Sequence, residues 1–492
     1  MKRIIIPVIL SIVLSSTAAY AAAPLDQPGI NDETVYQEVV FVTGEPVVVT
    51  GSLKVTESAR KDYVTSRLTY DLENKEKGMK VKRSITLNTQ LDVKEGIKQT
   101  VSIITLDRFS ETITAADGKY KLEDYILNGS RITHNKPVAD FFSGNWQGKK
   151  IYSINGDEGR VTIETIGQEI GYSHHWGSVL TRKVDGFIDV KRDRTDADGD
   201  EISADWDGEF SYRTSSTVNK YLSYVRNEPS QISFRGSYLL TVEEENLIDY
   251  SYDLPEFDDD GYPHRRNRDI DSDSIVLKTV PKYQRLLIPE IKDIGGHWAE
   301  NDISVLYGLG VFPQTSAYFG PSLPMLRSDF ARAIVEATNL LTETAAKTTA
   351  RNQPAQAEVF QDVSTTHRDY KYIVEVEKRG IITGVGPGQF LPDGKLTRAQ
   401  AITIIMRALG FDNMAPTPGY STGFADDSKI PAWAKDSIYA AREIGLVQGD
   451  SYGYVHPDEV MTRAEAAAFL YRFIRYLQND IKKDYRDRIL YY

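Results

Sequence analysis

Two patterns of hydrophobic and polar residues divide this chain. From about residue 35 to residue 289, apolar residues alternate with polar ones, as around Val81, Ile85 and Leu87. A period of two places the apolar side chains on one face of a strand, as in a half-buried antiparallel sheet. The pattern therefore predicts one large antiparallel β domain over residues 35–289, built as a sandwich or a strongly curved sheet.

The remainder of the chain has helical patterning that begins from a recurring phrase. In Thr462-Arg463-Ala464-Glu465, the threonine can cap a helix and the glutamate can bond back to the threonine amide, which is a capping box. An apolar run follows and supplies the helix body. The phrase recurs at Thr397-Arg398-Ala399-Gln400 and, in a weaker form, at Leu326-Arg327-Ser328-Asp329. Its arginines are 71 and 65 residues apart, which indicates a threefold internal repeat.

Each phrase closes a longer unit. An Asp-containing loop leads to an aromatic residue, a first helix that ends at a glycine, an apolar loop residue and the second helix. Glycine just after a helix favours a left-handed cap. We therefore expect a second, all-α pseudo-threefold module with two helices per repeat. In chain order the aspartates are Asp293, Asp362 and Asp426, the aromatics Trp298, Tyr370 and Trp433, the glycines Gly310, Gly380 and Gly445, and the apolar loop residues Phe319, Phe390 and Val455.

The arginines stand where a helix tolerates cations poorly. Arg327, Arg398 and Arg463 fall in the first turn, beside the positive end of the helix macrodipole. A cation in such a place suggests a ligand, and free amides at a helix start together with a forked guanidinium suit a carboxylate or phosphate. The alternative is that the arginines and aromatics only hold the threefold core together.

These repeats resemble S-layer homology (SLH) domains. The matching motifs are His297-Trp298-Ala299, Gly380-Ile381-Ile382-Thr383-Gly384, Ala432-Trp433-Ala434 and Thr462-Arg463-Ala464-Glu465, and the resemblance covers roughly residues 290–476. It implies repeats at 290–341, 359–411 and 424–476, and non-covalent binding of secondary cell wall polysaccharide. In this family the polymer commonly carries pyruvate ketals, which are carboxylates.

The resemblance also suggests which residues bind the glycan. Arg398 and Arg463 are the main expected carboxylate donors, the two tryptophans are expected groove walls, and the aspartates either fix the loop or accept sugar hydroxyls. The full predicted set is Arg398, Arg463, Arg327, Trp298, Trp433, Asp293, Asp362 and Asp426, with Thr397, Thr462 and Glu465 as helix-capping residues.

Repeats 1 and 2 depart from the family pattern. Repeat 1 has Leu326 in place of the capping threonine and Ser328-Asp329 in place of Ala-Glu, while repeat 2 lacks the tryptophan and has Gln400 for glutamate. The groove fed by repeats 2 and 3 therefore matches the family pattern more closely than the one fed by repeat 1.

Composition narrows the classes of partner. The chain has 492 residues, a net charge of −12 and no cysteine. Such acidity argues against binding nucleic acid or anionic lipid, and the lack of cysteine excludes thiolate catalysis and thiolate metal sites.

The chain begins with the features of an export signal. Lys2 and Arg3 precede an apolar stretch from Ile4 to Leu14 and small residues at Ala21-Ala22-Ala23, which predicts a signal peptide over residues 1–23. No later stretch is long and apolar enough for a membrane helix. Residues 24–34 read as a polar leader, 342–358 and 412–423 as linkers, and 477–492 as a C-terminal tail.

One acidic cluster in the β domain has the composition of a cation site. Asp196, Asp198 and Asp200 alternate with small residues, and carboxylate oxygens suit Ca²⁺. The alternative is a solvated hairpin tip. No other cofactor is expected.

The predicted function is that of an exported protein held at the cell surface, in or near an S-layer, with the β domain displayed for a structural or binding role. Self-association in a surface layer is compatible with this. The competing hypothesis is a wall-anchored glycan-processing enzyme with its active site in the β domain, although no His-Glu-x-x-His motif or phosphate-binding glycine loop is present. A lipid-like ligand on the apolar sheet face is a third alternative.

Overall fold

The computed structural model describes residues 29–31, 35–60, 62–195, 201–225, 237–341, 359–417 and 419–481. The predicted signal peptide, the linker over residues 342–358, the Asp196–Asp200 cluster and residues 482–492 lie outside these ranges.

The N-terminal part of the chain forms one antiparallel sheet, as the alternating pattern predicted. Its strands follow the hydrophobic alternation, and several are longer than fifteen residues. In the described ranges they are β1 (Gly29–Asn31), β2 (Tyr36–Val40), β3 (Val47–Arg60), β4 (Tyr63–Asn74), β5 (Met79–Lys94), β6 (Gln99–Ala115), β7 (Gly118–Asn135), β8 (Ala139–Ile154), β9 (Gly159–His174), β10 (Gly177–Thr195), β11 (Glu201–Ser203), β12 (Trp206–Val225), β13 (Ser237–Phe257), β14 (Pro263–Lys278) and β15 (Lys282–Arg285).

The strand order is a meander. Neighbours in the sheet run in chain order from β1 to β10 and then through β12, β13 and β14, with β11 paired to β10 and β15 paired to β13. Tight turns make this order possible. Between β8 and β9, Asn155 and Gly156 have φ values of 49° and 94°, and two consecutive positive φ values match the twist of a hairpin.

The sheet curls so that its first strand approaches its far end. The side-chain amide of Asn246 in β13 donates to the carbonyl oxygen of Asn31 in β1 at 2.8 Å. Inward residues from strands across the sheet, such as Val81, Val161 and Ile248, are completely buried in one shared core. Of the two architectures predicted, the curved sheet is therefore the one observed.

The C-terminal part contains two helices per repeat. They are α1 (Glu300–Gly308) and α2 (Arg327–Ala337) in repeat 1, α3 (Tyr370–Lys378) and α4 (Arg398–Leu409) in repeat 2, and α5 (Ala432–Glu443) and α6 (Arg463–Asn479) in repeat 3. Gly310, Gly380 and Gly445 adopt φ values of 71–76° after the first helices, where an L side chain would be strained.

The three repeats interlock in a ring. The first helix of each repeat packs on the second helix of the preceding one: α3 on α2, α5 on α4, and α1 on α6. At the centre, the amide of Met325 donates to the carbonyl of Met461, that of Leu396 to Met325, and that of Met461 to Leu396, each at 2.9 Å. The pseudo-threefold axis is thus a closed cycle of backbone hydrogen bonds.

The β domain packs directly on the helical module. Trp176, after β9, is 2% exposed, and its indole N–H donates to the carbonyl of Ala337 at the end of α2 at 2.9 Å. The amide of Val138 donates to the carbonyl of Ala408, and the Arg379 guanidinium donates to the carbonyl of Pro137. Phe141 and other sheet residues share one hydrophobic core with the helices.

None of the helices in the described ranges is long and apolar enough to span a membrane.

Candidate functional site

The second helices of repeats 2 and 3 begin with the capping boxes that the sequence indicated. The Glu465 amide donates to Thr462 Oγ1 at 3.2 Å, and the Thr462 amide donates to Glu465 Oε2 at 2.8 Å. Thr397 and Gln400 form the same reciprocal pair. In repeat 1, Leu326 provides no side-chain cap for α2.

The expectation of free amides at these helix starts is wrong. The amides of Arg463 and Ala464 donate to the carbonyls of Leu323 and Pro321 in repeat 1, at 2.8 and 3.0 Å. The first two amides of α2 and α4 are occupied in the same way by carbonyls of repeats 2 and 3. Each helix start is therefore filled by the loop of another repeat, and an anion in this site must rely on side chains.

These contacts also explain how a helix tolerates an arginine in its first turn. The carbonyl oxygens that converge on the helix start offset its positive end. The Arg463 guanidinium lies 4.6 Å from the ring centre of Phe319, and that of Arg327 lies 5.2 Å from the ring centre of Phe390. Both are cation–π contacts with the apolar loop residue of another repeat.

The three loop aspartates hold the loops, which is one of the two roles predicted for them. Asp293 accepts the amides of Phe319 and Gly320, both at 2.7 Å. Asp362 accepts those of Phe390 and Leu391, and Asp426 accepts those of Val455 and His456. Although desolvation pushes the pKa of Asp362 upward, the two amide hydrogen bonds hold that pKa below its ordinary value.

One groove brings together predicted residues from all three repeats. Groove 1 is lined by Trp298 of repeat 1, Arg398 of repeat 2 and Glu465 of repeat 3, around a cavity of about 160 Å³. Arg398 Nη1 lies 3.7 Å from Glu465 Oε1, and Trp298 is 66% exposed. Within the described residues, Arg398 Nε is buried and has no hydrogen-bond partner. The groove therefore offers an open indole face beside an incompletely satisfied guanidinium.

The same relation defines two further grooves. In each groove, one repeat supplies the residue equivalent to Trp298, and the next repeat supplies the arginine equivalent to Arg398. The remaining repeat supplies the residue equivalent to Glu465. The equivalent positions of groove 3 are Trp433, which is 54% exposed, Arg327 and Gln400. Arg327 is buried, donates from Nε to the Phe390 carbonyl at 2.9 Å, and has a pKa lowered by desolvation.

Groove 2 departs from the predicted arrangement. The residue twelve positions before Gly380, equivalent to the two tryptophans, is Arg368 and not Tyr370. Tyr370 is 7% exposed and packs in the core. Groove 2 therefore consists of Arg368, Arg463 and Asp329, and Arg463 Nη1 lies 3.6 Å from Asp329 Oδ2.

Sequence reasoning missed a charged cluster inside the curved sheet. Arg83 is 5% exposed and contacts both oxygens of Glu38 at 2.8 Å and Glu111 Oε1 at 2.6 Å. Lys150 also contacts Glu111. Although burial raises the pKa of Glu111, Arg83 and Lys150 bring it down to about 2. The signal was present, because residue 83 occupies an inward position in the alternation of β5.

The proposed calcium ligands Asp196, Asp198 and Asp200 lie outside the residues that the structure describes. In the ranges that it does describe, no group of three or more His, Asp or Glu side chains is placed to hold a metal ion.

Comparison with protein families identifies the repeats. The model of the S-layer homology domain matches residues 290–331, 359–402 and 423–467, which cover the aspartate loops, both helix starts and the three arginines.

Curated relatives share only part of this chain. The exoglucanase XynX of Acetivibrio thermocellus is 29% identical over 189 residues, which are 38% of this chain and 16% of the relative. The endoglucanase of Bacillus sp. (strain KSM-635) is 33% identical over 133 residues, 26% of this chain and 13% of the relative. The S-layer protein EA1 of Bacillus anthracis is 28% identical over 176 residues, 36% of this chain and 19% of the relative. The chain thus spans less than a fifth of the length of each of these relatives.

Proposed function

Three S-layer homology domains form the helical part of this surface protein, and we propose that they anchor it non-covalently to secondary cell wall polysaccharide while the curved sheet is displayed. The observation that supports this most directly is groove 1. An open indole, a guanidinium and a carboxylate from three repeats meet there around one cavity. Sugar rings stack on aromatic faces, and a guanidinium suits a carboxylate.

The finer proposal is that the polysaccharide is acidic, with carboxylates of the pyruvate-ketal type. Arg398 is the expected donor and Trp298 the expected stacking surface. Because the helix-start amides are occupied, the guanidinium has to supply the charge that recognises the ligand.

Cosedimentation of the full chain with purified wall polysaccharide tests the anchoring. Trp298→Ala and Arg398→Ala should each weaken binding about tenfold, as expected for loss of about 1.4 kcal/mol. Matched controls are Tyr452→Ala and Arg108→Ala, whose side chains are exposed outside groove 1. Polysaccharide stripped of its ketals by mild acid should bind weakly. Equal binding by stripped polymer would exclude the carboxylate, and unchanged binding by both groove variants would exclude groove 1.

Self-association in a surface layer is a second part of the proposal. The S-layer proteins among the relatives give it a precedent by name. Sedimentation velocity of the full chain with and without polysaccharide should show concentration-dependent assembly, and a monomer under both conditions would contradict it.

The alternative function, a wall-anchored glycan-processing enzyme, has weaker support. A general acid needs a raised pKa. Glu111 in the buried cluster has a lowered one, and Asp140, whose pKa burial raises, lies near Arg379 at the junction with the helical module. Gly449-Asp450-Ser451-Tyr452-Gly453 has the spacing of a nucleophile motif, but it forms an exposed turn whose Asp450 accepts the amides of Tyr452 and Tyr454. Release of reducing ends from wall polysaccharide would establish the enzyme.

A further inference from the structure

The three grooves are built from equivalent positions but carry different side chains. The tryptophan of grooves 1 and 3 is replaced in groove 2 by Arg368, and the alanine that follows each tryptophan is replaced by Asp369. A second difference lies five residues after the arginine that begins α2, α4 or α6. At this position α2 contributes Arg332 to groove 2, whereas α6 contributes Ala468 to groove 1 and α4 contributes Thr403 to groove 3. Repeats 1 and 2 therefore bring two extra arginines and one extra aspartate to groove 2.

These replacements form ion pairs with one another and with Asp329. Arg368 Nη2 lies 2.8 Å from Asp329 Oδ1, and Arg368 Nε lies 3.0 Å from Asp369 Oδ2. Arg332 Nη1 lies 3.1 Å from Asp369 Oδ1, and Arg332 also pairs with Asp329. Arg463, the arginine expected to bind a ligand carboxylate, faces Asp329 Oδ2 at 3.6 Å. Like Arg398 Nε in groove 1, its Nε is buried without a hydrogen-bond partner among the described residues, so groove 2 differs from groove 1 in the residues around the arginine.

The carboxylates of this network are buried, whereas the Arg368 side chain is 61% exposed. Asp369 has no exposed surface and Asp329 is 8% exposed. A ligand carboxylate that approached Arg463 would lie beside Asp329, a buried carboxylate that Arg332 and Arg368 hold in place, and the two negative charges would repel each other. The groove also lacks an indole face on which a sugar could stack.

The charge balance differs in the same direction. Nine residues after the arginine that begins each second helix, α6 has Arg472 for groove 1 and α4 has Arg407 for groove 3. The equivalent residue of α2, for groove 2, is Glu336. Groove 3 has in addition the neutral Gln400 where groove 1 has Glu465. Over these equivalent positions, groove 1 has two arginines and one glutamate and groove 3 has two arginines, whereas the three arginines of groove 2 are matched by Asp329, Asp369 and Glu336.

We infer that groove 2 is an internal ion-pair clamp between repeats 1 and 2, and that acidic glycan occupies only grooves 1 and 3. The inference rests on the proposed function and specifies how many ligand sites the module has. Two sites on one rigid body favour a polymer that presents carboxylates at intervals, because the second contact is then intramolecular.

Isothermal titration of the full chain with a monosaccharide glycoside bearing a pyruvate ketal counts the sites. We expect two sites in the parent, one in Trp298→Ala, one in Trp433→Ala, and two in both Arg368→Ala and Arg463→Ala. Three sites in the parent, or loss of a site in Arg463→Ala, would overturn the inference while leaving the proposed function intact. A parent that binds no ketal probe and no wall polysaccharide would overturn both.

A gain of function gives a second readout. The triple variant Arg332→Ala/Arg368→Trp/Asp369→Ala places the residues of groove 1 at three positions of groove 2 and should bind a third equivalent of the probe. A folded triple variant that still binds two equivalents would show that the ion pairs are not what closes the groove. If the triple variant does not fold, the count in Arg463→Ala decides.

Discussion

A single aspartate shapes each loop that carries one of the apolar loop residues Phe319, Phe390 and Val455, which are called plugs below. The residue after each plug has a positive φ: 71° at Gly320, 55° at Leu391 and 52° at His456. Only one of the three is glycine, so the other two adopt a conformation that costs an L residue about 1–2 kcal/mol. In each loop the aspartate bonds the amide of this strained residue and of the plug before it. The sequence located the aspartates, but the strain that they offset appears only in the backbone.

Asp362 should make stability depend on pH in a defined direction. Its folded pKa is lowered, so its contribution is present above the unfolded value of about 3.9 and is lost as pH falls through the folded pKa. Asp362→Asn should therefore lower the melting temperature at pH 7, and the difference from the parent should shrink as the pH falls below about 3.9 and through the folded pKa. The exposed Asp393→Asn serves as the control. A difference that stays constant over this range would contradict the assignment.

The helix starts show which part of an element a sequence can predict. The capping boxes at Thr397 and Thr462 depend on residues three apart, so local sequence reveals them. The carbonyls that fill the same helix starts come from a different repeat, and no local pattern reports them. For the same reason the sequence suggested an anion site made of backbone amides, where the structure has only the arginine side chains to offer.

Loss of the cap on α6 should be measurable. Thr462→Ala removes the acceptor of the Glu465 amide and should cost about 1 kcal/mol of unfolding free energy. Thr462→Ser, which keeps the hydroxyl, should cost much less. Chemical denaturation measures both. A serine variant as unstable as the alanine variant would mean that the threonine methyl group, and not the cap, is what matters.

At the scale of the whole molecule, the sequence predicted both architectures and missed their junction. Alternation identified the sheet and the repeats identified the helical module, because both signals are periodic. The junction depends on contacts that no repeating sequence pattern reports, because Trp176 and Ala337 are 161 residues apart in the chain. No local pattern around Trp176 indicates that this side chain packs on a helix.

Trp176→Phe should loosen the contact between the two parts. It removes the hydrogen bond to the Ala337 carbonyl and part of a buried indole, which together should cost about 2 kcal/mol. Hydrogen exchange should rise at the C-terminal end of α2 and near β9. The exposed Trp433→Phe should leave exchange at the junction unchanged. Equal exchange at the junction in Trp176→Phe and the parent would show that the indole does not hold it.

The closed backbone cycle of Met325, Leu396 and Met461 has a consequence for modularity. In a linear array, a terminal unit can be deleted and its neighbours survive. Here, deletion of any one unit would strand an amide and a carbonyl at the axis and uncover a helix face that its absent neighbour had sheltered. The three repeats therefore form one structural unit, and a transfer of the module to another protein would have to include all three.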